Sequence, residues 1–202
     1  FSEHGAKLSA GLQNILKAYE NLESDSLSNE DLIIFKMIVP EDFDIYSQRA
    51  KLEGEGLKIN AVKNKRQAIV SSSKSNFQRL QDRVDTYKGS GSLKTNFEYF
   101  DEFAFMTDEE KEAASLKKYL AEKKDSLSVD VQMMFVPNLD EDIQKRAAEK
   151  ISAEIINGVG QDKQPKIYEL ADGTAVIRAE VTVKDLKKFE KDPVIYRVEQ
   201  TG

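Results

Sequence analysis

The side chains that could do chemistry here are few, and their spacing does not assemble a catalytic centre. The chain has one histidine, His4, and no cysteine among 202 residues. A Ser-His-carboxylate triad needs all three groups in hydrogen-bond sequence, and His4 lies at the start of the chain, where fraying is expected. A zinc site draws on several His or Cys ligands, so no metal is expected, and no motif calls for a cofactor. The phosphate-binding patterns G-x-x-x-x-G-K-[ST] and strand-linked G-x-G-x-x-G are absent, and Gly54 with Gly56 reads as a helix stop. Adjacent carboxylates remain. Asp101-Glu102 and Glu109-Glu110 are sequence neighbours, whose side chains diverge on a strand or a helix. Asp140-Glu141-Asp142 opens a helix, where negative charge complements the dipole. The chain therefore reads as non-enzymatic.

The elements that would carry these residues fit a small-domain protein. A net charge of −6 and a pI near 5.1 argue against a nucleic-acid backbone as partner, since such binders cluster Lys and Arg. No apolar run approaches the roughly 18 residues that a membrane span needs. The absence of cysteine favours a reducing, cytoplasmic compartment. The N-terminus lacks Met and a signal-peptide core, so the chain reads as a piece of a longer one. With 40% hydrophobic residues, two lobes of about 100 residues would each be marginal alone and more rigid beside a partner.

Periodicity gives one pattern twice. Residues 6–22 form an amphipathic helix with Leu8, Leu12, Ile15, Leu16 and Tyr19 at helical spacing, and 23–31 is a polar loop. Then come a strand over 32–39, a helix over 42–53, strands over 57–63 and 67–72, a helix over 75–87, and an aromatic-rich strand over 97–106. A Thr107–Glu110 capping box starts a connecting helix to about Glu122, with the domain boundary at 123–126. The second copy runs as a strand over 127–136, a helix over 140–157, strands over 166–170 and 174–181 around an Asp172-Gly173 hairpin signal, a short helix to Phe189, and a strand over 194–198. The expected fold class is α+β: two tandem ferredoxin-like (β-α-β-β-α-β) lobes, 1–122 and 127–202, with an N-terminal helix and a connecting helix. Each sheet should carry two helices on one face and leave the other open to a partner. An RNA-recognition use of the fold stacks bases on strand aromatics; the third strands, Gln67–Val70 and Thr174–Ile177, carry none. Phe97, Tyr99, Phe100, Phe103 and Phe105 read as core.

The stretch Val183-Lys184-Asp185-Leu186-Lys187-Lys188-Phe189-Glu190-Lys191-Asp192-Pro193-Val194-Ile195-Tyr196-Arg197-Val198-Glu199 resembles a subtilisin propeptide of the inhibitor-I9 type. The family shows a short helix with an apolar pair, a Lys/Asp-rich turn and a strand ending in Val-Glu. Ala175, Ile177 and Ala179, the Ile143–Ile155 helix and Gly158/Gly160 extend the likeness. The first 120 residues are similar to N-terminal regions of bacterial subtilases, by His4-Gly5 and its helix, Ile33–Val39, Leu52–Leu57, Phe77–Tyr87 and Phe97–Phe105.

The resemblance implies an intramolecular chaperone and inhibitor of a cognate subtilisin-like catalytic domain that would follow Gly202. An AAA-type ATPase encoded nearby is the second partner it implies. In the family, the open sheet packs on protease helices and an acidic residue at the end of the last strand caps a helix N-terminus. That role falls on Glu199, with Val198, Gln200, Thr201 and Gly202 as the adjoining contact residues. Glu190 is expected to lie away from the contact. Family members continue several residues past this glutamate into the active-site cleft, so either the tail is short here or, as the favoured expectation, the chain stops before the cleavage site. The alternative is a stand-alone tandem ferredoxin-like adaptor with no protease.

Overall fold

The computed structural model describes residues 2–122 and 127–201, so the expected boundary at 123–126 lies outside the described residues. Contacts divide the chain into two units: Phe1–Leu22 with Glu30–Phe105, and Glu23–Asn29 with Met106–Gly202. The fold class is α+β, with two four-stranded antiparallel sheets consistent with tandem ferredoxin-like lobes.

The first unit begins with α1 (Ser2–Asn21), followed by β1 (Leu32–Ile38), α2 (Arg49–Gly54), β2 (Lys58–Asn64), β3 (Gln67–Ser73), α3 (Lys74–Gly89), α4 (Lys94–Phe97) and β4 (Glu102–Ala104). Its sheet order is β2-β3-β1-β4. The near-continuous apolar run of β1 marks a strand buried on both faces. Ile33, Phe35 and Met37 meet the helix-side core, while Ile34 and Ile69 on the opposite face are only 1% and 0% exposed. The expectation of an open second face therefore fails for this lobe.

Two elements differ from the periodicity reading. The helix expected over 42–53 begins at Arg49, because Asp44 Oδ1 accepts the Tyr46 and Ser47 amides and holds 41–48 in turns. Such local side-chain bonds compete with helix. The long helix beside α3 is instead α1, whose Leu8, Leu12 and Ile15 join Phe35, Phe77, Leu80 and Phe103 in one core. Gly5 and Gly11 allow the approach: a Cβ on Gly5 would lie 2.7 Å from Lys88 Cα, and one on Gly11 would collide with the Phe103 carbonyl oxygen. The strand expected over 97–106 shrinks to Glu102–Ala104, since Phe97, Phe100 and Phe103 all turn inward at a spacing of three that an extended strand cannot supply.

The second unit holds a short 3₁₀ turn (Ser24–Ser26), α5 (Asp108–Lys111), α6 (Ala114–Ala121), β5 (Ser128–Phe135), α7 (Glu141–Val159), β6 (Lys166–Glu169), β7 (Ala175–Thr182), α8 (Val183–Glu190) and β8 (Ile195–Gln200). Its order β6-β7-β5-β8 repeats that of the first sheet. The capping box forms, with Thr107 Oγ1 accepting the Glu110 amide and Glu110 Oε2 accepting the Thr107 amide at 2.7 Å. The helix nevertheless stops after one turn. Glu112 and Ala113 are extended, and the Ala113 amide donates to the Val198 carbonyl at 2.9 Å. Main-chain pairing along the β8 edge thus splits the expected connecting helix into α5 and α6. Among the described residues, no helix is long and apolar enough to cross a membrane.

Candidate docking face of the second lobe

Strand β5 alternates cleanly. Val129, Val131, Met133 and Phe135 are buried with Ile143, Ala147, Ile151 and Ile155 of α7 and Leu186 and Phe189 of α8. Its other residues point to the face that these helices do not cover. Cross-strand register builds that face in rows: Thr182 with Ser128; Glu180 with Asp130; Lys166, Arg178, Gln132 and Glu199; Tyr168, Val176, Met134 and Arg197. Ser128, Asp130, Arg178, Lys166, Tyr168 and Arg197 are exposed, and Glu180, Gln132, Met134 and Glu199 are half-buried. The face therefore combines a small apolar strip with charges of both signs.

Part of this polarity is internally paired. Tyr168 donates its hydroxyl to Gln132 Oε1 at 2.6 Å. Lys163 pairs with Glu180, which also accepts from Ser128 Oγ. The Lys163 ammonium holds the Glu180 carboxyl below the usual carboxylate range. Glu199 differs: among the described residues its carboxylate has no hydrogen-bond or ion-pair partner.

The five sequence-derived site residues fall in different settings. Glu199 lies on the uncovered face. Val198 is fully buried, and its carbonyl is taken by Ala113. Gln200 pairs with Val131 across the sheet, and the Thr201 amide donates to the Asp130 carbonyl at 3.0 Å, so the chain stays paired through Thr201. Gly202 lies outside the described residues. His4 is not frayed: it is half-buried in α1, with Nδ1 sharing a 2.6 Å hydrogen bond with the Tyr87 hydroxyl and Nε2 donating to the Phe100 carbonyl.

Beside β8 lies a buried ionisable cluster. Lys111 is 1% exposed and donates to the Glu190 and Asp192 carbonyls at 2.8 and 2.9 Å. Burial, against the pull of the acids around it, lowers its pKa to about 8. Glu190 is also 1% exposed; burial and the adjacent Glu112 carboxyl push it up to about 9. Burial likewise raises Asp192, whose carboxylate accepts the Ser28 and Val194 amides. Glu190, expected only to lie away from the contact, is thus a buried member of this cluster. Its burial was legible, since Glu190 extends the stripe of Val183 and Leu186 at helical spacing. Lys111 carried no such signal.

Fold and site together define a two-lobed α+β protein whose second sheet keeps one face free of its own helices. The chain belongs to the family of the Y4kK N-terminal domain, whose family model matches residues 2–108, more than half of the 202. No curated protein and no solved structure matches it.

Proposed function

We propose that the chain is the pro-region of a subtilisin-like serine protease, a folding template and inhibitor that docks through the uncovered face of its second lobe. The observation supporting this is Glu199: a half-buried carboxylate without a partner among the described residues, near the end of the last strand on a face its own helices leave free. Such a carboxylate suits the unpaired amides and partial positive charge at a partner's helix N-terminus. The exposed Tyr168 and the half-buried Met134 supply apolar area for the same contact, while Val176 between them is fully buried.

The codons after Gly202 provide the first test. Asp, His and Ser in subtilase context are expected, and their absence would leave the adaptor reading, which the exposed Ile167, Tyr168 and Leu170 on and beside the edge strand β6 also suit. The second test titrates the protease's residual activity with the chain. Glu199→Gln should weaken inhibition roughly two- to thirtyfold, matching about 0.3–2 kcal/mol for a carboxylate at a helix terminus. Glu149→Gln, exposed on α7 away from this face, should change little. Equal inhibition by both variants would remove Glu199 from the interface.

A further inference from the structure

The first lobe carries a cavity that the proposed docking does not use. It has a volume of about 350 Å³ and lies between the turn-rich segment 41–46 and the β2–β3 hairpin. Its apolar floor is Phe43, Ile45 and Val62. Glu41, Asp42, Tyr46 and Lys65 stand around it as exposed side chains. The volume is at the low end for ligand pockets, roughly 300–1,000 Å³, which suits one long side chain better than a cofactor.

The wall is fixed before any ligand arrives. Asp44 is committed to the Tyr46 and Ser47 amides at 3.1 and 3.3 Å, the Phe43 amide donates to the Pro40 carbonyl, and the Phe43 ring packs on Tyr99 with centroids 5.5 Å apart. This scaffold leaves Tyr46 62% exposed, the most exposed large hydrophobic among the described residues. Glu41 and Asp42 have no hydrogen-bond or ion-pair partner among the described residues. Lys65 is the only cation against three carboxylates in the lining.

We propose that this pocket receives an arginine side chain from a partner polypeptide. Three features call for the same group. The apolar floor takes the methylene stem, the exposed Tyr46 ring offers a face for a guanidinium to stack on, and the unpaired Glu41 and Asp42 offer planar bidentate acceptors. An aliphatic or aromatic side chain would leave the carboxylates unanswered, and an acidic one would meet like charge. The pocket lies within the residues matched by the family model, and its role is independent of what the second lobe binds.

The test titrates isotope-labelled chain with acetyl-arginine amide and follows backbone amide shifts. Acetyl-citrulline amide, of the same shape without the charge, is the comparison. Millimolar binding with shifts concentrated at residues 41–46 and 62–65 is expected, with citrulline at least threefold weaker. The double variant Glu41→Gln/Asp42→Asn and the single variant Tyr46→Ala should each weaken arginine binding, while Lys65→Met should strengthen it. All four positions are exposed, so folding is preserved and is checked by the unperturbed remainder of the spectrum. Equal binding of citrulline, shifts scattered over the acidic surface, insensitivity to the variants, or no binding would each overturn the proposal. None of these outcomes bears on protease inhibition by the second lobe.

Discussion

Glu190 and Lys111 pull the pH dependence of the second lobe in opposite directions, over windows that overlap only between about pH 8 and 9. Glu190 titrates at about 9 in the folded chain, above its ordinary value near 4.3, so the native state holds a proton that the unfolded state releases. Its contribution is complete in acid and is lost as pH rises toward 9. Lys111, lowered to about 8, behaves inversely: its contribution is present above its ordinary value and lost as pH falls through 8. Between about pH 5 and 8 lysine is protonated in both states, so the difference made by Glu190 stands alone. Glu190→Gln should therefore raise stability at pH 8 relative to wild type and lose most of that advantage at pH 5. Urea unfolding at both pH values measures this; a variant that follows the wild type in parallel would show that Glu190 ionises freely.

At the level of elements, the sequence carried the order of helices and strands in both lobes, because long apolar periodicities survive tertiary context. It also carried the difference between the sheets. The near-continuous apolar run of β1, broken only by Lys36, corresponds to burial on both faces, and the alternation of β5 to burial on one. What local pattern could not carry were breaks imposed from a distance: the Val198 carbonyl that stops α5, and the inward turns of Phe97 and Phe100 that shorten β4. The uncovered face of the second sheet was legible in outline, yet the burial of Val198 and the pocket at 41–46 depend on contacts remote in sequence. Close helix–strand approach is another such contact, and it can be tested with one substitution at two sites. Ala in place of Gly in a helix normally gains roughly 0.5–1 kcal/mol. Gly54→Ala should show that gain, since nothing lies within 4 Å of the added carbon. Gly11→Ala should instead cost about 1–3 kcal/mol through overpacking against Phe103. Thermal unfolding of the two variants should shift in opposite directions; a stabilised Gly11→Ala would mean that α1 does not sit this close to β4.

At the scale of the whole chain, the second lobe is not one contiguous piece of sequence. Residues 23–29, between α1 and β1, belong to it by their contacts. Lys150 Nζ donates to the Ser24 and Leu27 carbonyls, Lys188 bridges Asp25 and Glu154, and the Ser28 amide donates to Asp192 at 3.1 Å. The Ser28 contact matters most, because Asp192 is buried and each amide it accepts offsets the cost of keeping its charge. A fragment beginning at Met106 would retain every strand of the sheet and lose this segment. It should fold, and unfold at lower urea than the same lobe in the whole chain, with the hydrogen bond to a charged group alone accounting for about 1.5–3 kcal/mol. Without the Ser28 amide the Asp192 carboxyl rises further, so the native state gains protons over the unfolded state across a wider range and loses stability as pH climbs. The deficit of the fragment should thus be larger at pH 8 than at pH 5. The chain has no tryptophan, so far-ultraviolet circular dichroism is the suitable signal. A peptide spanning residues 23–29, added in excess, should recover part of the loss by mass action. A fragment as stable as the lobe in the whole chain at both pH values, and indifferent to the peptide, would show that the segment adds nothing to the lobe's stability.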